Sequence, residues 1–264
     1  MELKKPTRIV FDTLTVLILL FIYLPLLVVV LNSFNGSTTL SWPVRSLTLQ
    51  WWSKALSSTG LLAAVGTSLE VAVAATVVSL ILGTLCAIAL QRYEFFGKSA
   101  VNLLVVLPIA LPGIVTGIAL NNAFTTMLGV KLSIFTLIVA HVTFTIVTVY
   151  NNAFARLGQL GRHVEEASAD LGAGLWTTFT KVTFPRIRTS LIAGGLLAFA
   201  LSFDEIVVTT FTAGQNVTTL PIWIMNNMFR PHQAPVVSVV AVVMVAISLI
   251  PLWLAQRATA GEER

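Results

Sequence analysis

Apolar residues occur along this chain in six long runs, and short polar stretches separate one run from the next. Each run holds about 20 residues or more, which is the length that an α-helix needs to cross the hydrocarbon core of a membrane. The pattern therefore predicts an all-α membrane protein with six transmembrane helices. The predicted spans are approximately residues 10–31, 61–90, 101–127, 132–154, 190–211 and 236–254.

The composition agrees with a membrane protein. Of the 264 residues, 56% are hydrophobic and only 10% are charged, and the mean hydropathy is +0.89. Soluble domains carry about 25% charged residues, and no stretch of this chain is polar enough to build a separate soluble domain. We expect a first transmembrane helix with an external loop in residues 1–60, a transmembrane core in residues 61–254 and a cytoplasmic tail in residues 255–264.

The basic residues predict the orientation of the chain. The net charge is +5, but the lysines and arginines stand in short loops beside the apolar runs, so membrane topology explains them better than nucleic-acid binding does. Twelve of the sixteen fall on the side that holds both termini. Since cytoplasmic loops are enriched in Lys and Arg, we expect cytoplasmic N- and C-termini. The four residues on the external side are Arg45, Lys54, Lys131 and Arg230.

The first apolar run follows three basic residues, as the apolar part of a signal peptide does. It is long enough to span a bilayer and no small-residue cleavage site follows it, so we expect a retained helix. The polar stretch 32–60 then contains Trp42-Pro43 and Trp51-Trp52. Tryptophans of this kind commonly lie at a membrane interface, so we expect this loop to lie partly along the outer surface.

The longest stretch of moderate polarity between two apolar runs, residues 165–185, reads EEASADLGAGLWTTFTKVTFP. A loop of this length inside a compact protein usually carries function. Glu165 and Glu166 favour a helix start, because carboxylates interact well with the N-terminal end of the helix dipole. Gly172 lets the chain turn sharply or lets a partner approach its backbone closely. We predict a short cytoplasmic helix, a glycine break and a lead into the next span.

This loop resembles the EAA motif of the membrane subunits of bacterial ABC importers, which reads Glu-Ala-Ala, three residues, Gly, nine residues and Ile-x-Leu-Pro. Four residues match, and Ser168, Val182 and Phe184 replace the second Ala, the Ile and the Leu. Because the spacing holds over about twenty residues, docking on a separate ATPase is favoured over a plain solvated loop. The resemblance implies that the ATPase-coupling residues are Glu166, Ala167, Ser168, Gly172 and Pro185.

Two carboxylates, Asp204 and Glu205, fall inside the fifth predicted span. A charged side chain at such depth costs several kcal/mol unless it is paired or wetted, so both are candidates for function. On one continuous helix, Glu205 would lie close to a stripe of small residues and Asp204 about 100° further round. We expect one carboxylate to meet a packed helix and the other to face a different environment. Structural salt bridges, or hydrogen bonds to backbone donors, are the alternative for one or both carboxylates. The stripe consists of Gly194, Ala198 and Ser202.

The third span contains Pro108 and Pro112. Prolines free backbone carbonyls, which is tolerated in a membrane only where neighbours or a water-lined cavity satisfy them. Broken helices often mark transport sites, but Gly113 and Gly117 fit plain helix packing equally well. The candidate substrate-path residues are Asp204, Glu205, Pro112 and Asn121.

Other candidate sites are weaker. Gly97-Lys98-Ser99 is similar to the end of a phosphate-binding loop, but position 92, where the motif needs glycine, is Arg. The single cysteine offers neither a disulfide nor a metal site. His141 lies alone in the fourth span, where a hydrogen-bonded packing role is favoured over a proton relay. We therefore expect no catalytic residue, metal or cofactor in this chain.

Further stretches resemble the polyamine branch of the same importers. The resemblance implies a six-helix type I importer (MetI-like) fold in the bacterial plasma membrane, a second permease subunit, an ATPase dimer that binds ATP and Mg, and an extracytoplasmic substrate-binding protein. The implied cargo is putrescine or spermidine. The acidic pair suits such a polycation, since carboxylates in a water-lined path lower its desolvation cost. These stretches are Thr67-Ser68-Leu69, Leu107-Pro108, Leu111-Pro112-Gly113 and Ser202-Phe203-Asp204-Glu205.

Two alternatives stay open at this point. Importers of ferric iron, amino acids or other small solutes share the docking motif. A proton-driven secondary transporter would use Asp204, Glu205 and His141 as a relay, but it would leave the long cytoplasmic loop unexplained.

Overall fold

Helices make up most of the computed structural model of the chain, which describes residues 5–38, 44–230 and 232–260. No β-sheet forms in these ranges, although Asn35 and Leu47 make an isolated bridge. In chain order the α-helices are α1 Lys5–Ser33, α2 Gln50–Leu56, α3 Thr59–Arg92, α4 Lys98–Ala110, α5 Gly113–Asn122, α6 Ile134–Leu160, α7 His163–Asp170, α8 Leu175–Thr178, α9 Phe184–Phe203, α10 Val207–Thr212, α11 Leu220–Asn227 and α12 Ala234–Ala260.

Four helical segments of the described chain have the length and the apolar composition to cross a membrane. They are Thr7–Ser33 within α1, the helices α3 and α6, and a continuous helix, Leu175–Phe203, that includes α8 and α9. A fifth segment qualifies only as the bent pair α4 and α5, and α12 contains a shorter apolar helix, Ala234–Ile250. The all-α prediction is confirmed, because long apolar segments can satisfy their backbone groups in lipid by forming helices.

The third predicted span is broken rather than straight. α4 ends at Ala110, α5 begins at Gly113, and the two helices are bent by 109°. Leu111 is extended, with φ −84° and ψ 141°, because a proline disfavours the α conformation at the residue before it. Pro112 therefore causes the break, whereas Pro108 is accommodated inside α4.

The fifth predicted span is wrong in its bounds and its continuity. α9 starts at Phe184, ends at Phe203, and is separated by three residues from the short helix α10. Asp204 and Glu205 thus lie at a helix break, so the angle of about 100° that one continuous helix would put between them does not apply. Acidic residues favour such a position, since their side chains accept hydrogen bonds from backbone N–H groups at helix starts.

Small residues allow the membrane helices of the described core to approach one another closely. A Cβ on Gly194 of α9 would lie 3.2 Å from Asn152 Cβ in α6, and a Cβ on Gly83 of α3 would lie 3.1 Å from Ile146 O in α6. Ala198 of α9 is buried in the same core. The predicted stripe of small residues on α9 is therefore confirmed as a packing face for α6.

The chain folds as two compact units, of which one comprises residues 1–62 and 224–246 and the other residues 63–223 and 247–264. In the first unit, Trp51 is buried and its Nε1–H donates to the Asn35 carbonyl at 2.7 Å. The Trp52 ring stacks on Phe34 with centroids 5.4 Å apart. These tryptophans thus pack α2 against the residues that directly follow α1. The pair Trp42-Pro43 lies outside the described residues.

Candidate functional site

The predicted coupling loop folds as a short helix followed by a glycine turn. α7 ends at Asp170, and Gly172 then adopts a left-handed backbone with φ +81°. Gly172 N–H donates to Ala169 O at 2.8 Å, and Ala173 N–H donates to Ser168 O at 3.1 Å. This is the Schellman pattern, in which glycine avoids the steric cost of the left-handed conformation. The predicted helix and glycine break are confirmed.

The second half of the loop leads directly into α9. α8 continues through a π-helical turn, Phe179–Thr183, into α9. Pro185 lies in the first turn of α9, where the missing N–H and fixed φ of proline are tolerated. Leu171, Leu175 and Trp176 are 89%, 84% and 75% exposed. Large apolar side chains exposed together on one loop suit contact with another protein.

The predicted coupling residues lie on the open surface of this loop, and no residue of α7 is buried. Ser168 is half-buried, with its hydroxyl 3.0 Å from that of Thr178 in α8. The Glu166 carboxylate lies 3.8 Å from Nδ1 of His163 in the same helix. The exposed members of the set are Glu166, Ala167, Gly172 and Pro185.

A half-buried ion pair that the sequence did not reveal joins the coupling loop to α3. Arg92, at the end of α3, has Nε 2.7 Å and Nη2 3.2 Å from the two carboxylate oxygens of Glu165. Arg92 Nη1 also donates to the Leu157 carbonyl in α6 at 3.2 Å, and the Thr183 hydroxyl donates to Glu165 Oε1 at 2.8 Å. Arg92 and Glu165 are 73 positions apart, so no local pattern pairs them.

The two membrane carboxylates lie at the break between α9 and α10, in different surroundings. Asp204 is exposed and caps the C-terminal end of α9. Glu205 is half-buried, and its Oε1 accepts a hydrogen bond from the Val208 N–H at 2.8 Å. That bond satisfies one of the free donors at the start of α10. The two carboxylates thus differ in exposure, as expected, but Glu205 binds a backbone donor of α10, which is the alternative given above, and not the stripe of small residues.

His141 joins the two sides of this break. Its ring is 1% exposed, with Nδ1 2.7 Å from the Ser202 hydroxyl of α9 and Nε2 2.9 Å from the Thr209 hydroxyl of α10. Thr209 donates its own proton to the Glu205 carbonyl at 3.0 Å. Thr209 therefore accepts from Nε2–H, which leaves Nδ1 to accept from Ser202. The favoured packing role of His141 is confirmed by these contacts.

The break before α5 and the break before α10 lie next to each other. A Cβ on Gly113 would be 3.3 Å from Val207 Cγ1, and a Cβ on Gly117 would be 2.7 Å from Phe211 Cδ2. Because the first residues of both helices are neighbours and residues one turn later are neighbours too, α5 and α10 run side by side in the same direction. The structure therefore confirms the helix break at Pro112 and the packing role of the two glycines, while a transport site at this break stays a prediction.

Asn121 is hydrogen-bonded to the C-terminal end of α10. Its Nδ2 donates to the Phe211 carbonyl at 2.5 Å, and the Thr136 hydroxyl of α6 donates to the Thr212 carbonyl at 3.1 Å. Carbonyls at a helix C-terminus lack helical donors, so these side chains supply them. Pro112 is exposed at the start of α5. The four predicted path residues therefore lie around α5 and α10, and their contact with a substrate stays a prediction.

Metal binding is not indicated in the described ranges, where no group of three His, Cys, Asp or Glu side chains is placed to hold a metal ion.

A protein-family model described as the binding-protein-dependent transport system inner membrane component matches residues 79–259. The chain is 32% identical over 237 residues to the spermidine/putrescine transport system permease protein PotC of Escherichia coli (strain K12), covering 89% of this chain and 88% of that protein. It is 31% identical over 257 residues to the putrescine transport system permease protein PotI of the same strain, covering 94% and 89%.

A solved structure gives a likeness in fold. A chain from the crystal structure of a bacterial ABC transporter involved in the import of the acidic polysaccharide alginate superposes with a TM-score of 0.72. The match covers 99% of both chains at 15% sequence identity. At that identity the likeness concerns the fold alone, and it confirms the predicted fold class.

Proposed function

Because the chain belongs to the family of inner membrane components of binding-protein-dependent transport systems, we propose that it is the permease subunit of an ATP-driven importer for polyamines. The chain lines the translocation path together with a second permease subunit. A separate ATPase dimer drives alternation between outward-open and inward-open states, and an extracytoplasmic binding protein delivers the substrate.

The coupling loop is the observation that carries this proposal. It presents an exposed helix, a glycine turn and exposed apolar side chains on one surface, while the opposite side of α7 is bonded to α3 and to the lead into α9. An element that is open on one side and attached to membrane helices on the other suits the transfer of movement from a partner. In the proposal, this element performs no chemistry, and the separate ATPase binds ATP and Mg.

The polyamine assignment rests on two supports. The relatives PotC and PotI carry spermidine and putrescine in their names. Independently, Asp204 is exposed beside the half-buried Glu205 at a break within an otherwise apolar region. A negative charge in a wetted path attracts a polycation and offsets part of its desolvation cost. In the proposal, Asp204 contacts the passing cation, and Glu205 supports the break.

The orientation completes the proposal. The distribution of Lys and Arg favours cytoplasmic termini and a cytoplasmic coupling loop. The ATPase then docks from the cytoplasm, and the binding protein approaches the opposite face.

Uptake into proteoliposomes tests the substrate and the energy source together. A complex purified through a tag on this chain, with ATP at its cytoplasmic face and the binding protein at its opposite face, is expected to take up labelled spermidine or putrescine. Unlabelled polyamine should compete, and an amino acid or ferric iron should not. Competition by one of those solutes instead would favour an importer for another small solute. Uptake driven by a proton gradient without ATP would favour the secondary transporter.

A further inference from the structure

We propose that the Arg92–Glu165 ion pair is the positioning contact through which movement of α7 reaches the membrane helices. The inference rests on the proposed function, because it presupposes that an ATPase acts on α7. It assigns a role to Glu165, which directly precedes the coupling residue Glu166 in the sequence and differs from it in surroundings. Glu166 is exposed, whereas Glu165 is turned to the interior of the loop.

One guanidinium group connects three helices. Arg92 is the last residue of α3, and its side chain is only 10% exposed. Two of its nitrogens lie 2.7 Å and 3.2 Å from the Glu165 carboxylate of α7, and the third donates to the Leu157 carbonyl of α6. Arginine suits this position, because its planar fork can serve a carboxylate and another acceptor together.

The same carboxylate connects α7 to the start of α9. Thr183, which is buried in the turn before α9, donates its hydroxyl proton to Glu165 Oε1 at 2.8 Å. Glu165 therefore holds the coupling helix to the ends of both neighbouring spans. A displacement of α7 is passed to α3, α6 and α9 through this carboxylate, and Arg162, the residue before α7, adds a bond to the Gln91 carbonyl of α3 at 3.1 Å.

Apolar packing does not replace this contact. No residue of α7 is buried, and a cleft of about 400 Å³ lies beside the ion pair. Leu85, Ile88, Trp176 and Phe179 are among the side chains that line it. Since no residue of α7 is buried, the polar contacts of Glu165 with Arg92 and Thr183 set the position of α7.

A second ion pair, between the loop that follows α3 and the start of α4, supplies a matched control. Lys98 Nζ lies 2.8 Å from Glu94 Oε1, two positions beyond Arg92, but the Glu94 side chain is 77% exposed. Exposed pairs of this kind contribute little and are screened by salt. Glu94→Gln removes one negative charge near Arg92, as Glu165→Gln does. It leaves the contacts of Arg92 with α6 and α7 in place.

The experiment uses the full complex with its ATPase and second permease in proteoliposomes, with the binding protein and labelled polyamine at the extracytoplasmic face. Complex yield, ATPase rate and uptake are measured in the same preparation for the parent, Glu165→Gln, Arg92→Lys and Glu94→Gln. We expect uptake per ATP hydrolysed to fall about tenfold in Glu165→Gln and Arg92→Lys, which is the scale of a coupling between sites. Complex yield and ATPase rate should stay near the parent values. The double variant, Glu165→Gln with Arg92→Lys, should lower the uptake per ATP no further than either single variant does. Each single change already removes the contact between the two side chains.

Three outcomes are distinguishable. Glu165→Gln with the same uptake per ATP as Glu94→Gln would overturn the inference and leave the proposed function intact. Loss of complex yield in both Glu165→Gln and Arg92→Lys would also overturn it, since the pair would then serve assembly. A parent complex that takes up substrate without hydrolysing ATP would overturn the proposed function, and the inference with it.

Discussion

Gly172 and Gly174 stand two residues apart in the coupling loop, but their backbones differ. Gly172 has φ +81°, whereas Gly174 has φ −72°. A Cβ at either position would meet nothing within 4 Å, so steric contact within the chain does not distinguish them. The left-handed backbone does, because it costs a residue with a Cβ about 1–2 kcal/mol.

We therefore expect Gly172→Ala to loosen the turn and to lower ATP-coupled uptake, and Gly172→Leu to abolish it. Gly174→Ala is the control and should behave like the parent. Uptake, ATPase rate and abundance in the membrane fraction are measured for each variant. Normal coupling in Gly172→Leu would show that the loop is only a connector.

Asp204 and Glu205 should respond differently to substitution. Asp204→Asn removes a charge from an exposed side chain, so uptake of polyamine should weaken through a higher KM while complex yield survives. Glu205→Ala removes the acceptor of the Val208 N–H bond. Loss of a helix-start acceptor costs about 0.5–2 kcal/mol, so that variant should melt at a lower temperature in detergent.

The comparison between these two variants decides the role of the acidic pair. Equal KM values for Asp204→Asn and the parent would remove Asp204 from the substrate path. An unchanged melting temperature for Glu205→Ala would mean that its bond does not hold α10 in place.

At the scale of helices, α5 and α10 approach through glycine. A Cβ on Gly117 would lie 2.7 Å from Phe211 Cδ2 and 3.2 Å from Phe211 Cβ. Gly117→Ala should therefore force the two helices apart and destabilise the protein by about 1–3 kcal/mol, which is typical of overpacking. Thermal unfolding in detergent measures the change.

Gly66→Ala is the matched control for this prediction. Gly66 also lies in a helix, but a Cβ there would meet nothing within 4 Å. This variant should keep or slightly raise the stability, because alanine favours helix. Equal melting temperatures for Gly117→Ala and Gly66→Ala would contradict the close packing of α5 on α10.

The two helix breaks differ in how far a sequence predicts them. The break at Pro112 can be predicted from the sequence, because a proline disfavours the helical conformation at the residue before it. The break at residues 204–206 contains no proline or glycine, and the apolar residues around it predict one continuous span. It depends on Glu205 bonding to Val208 and on His141 bonding to both flanking helices. Those partners become visible only in three dimensions.

At the scale of the whole molecule, the apolar runs predicted an all-α chain, because lipid leaves the backbone few other solutions, but they did not predict the helix breaks after α4 and α9. The motif spacing predicted the exposed coupling loop and the family, which the match to residues 79–259 confirms. The Arg92–Glu165 pair could not be predicted, since it joins residues 73 positions apart that carry no shared pattern. The three proposed partner proteins follow from the resemblance to importers, and they await direct tests.

Retention of the ATPase by the coupling loop is the most direct test of the account. Ala167 and Ala100 are both exposed alanines in predicted cytoplasmic positions, the first in α7 and the second in the first turn of α4. The tagged chain is extracted in mild detergent, and the co-purified ATPase is quantified for the parent, Ala167→Arg and Ala100→Arg. We expect the ATPase with the parent and with Ala100→Arg, and about tenfold less with Ala167→Arg, since a bulky charge at the centre of an interface removes its main contacts. Equal retention by Ala167→Arg and the parent, or a parent that binds no ATPase, would contradict the account.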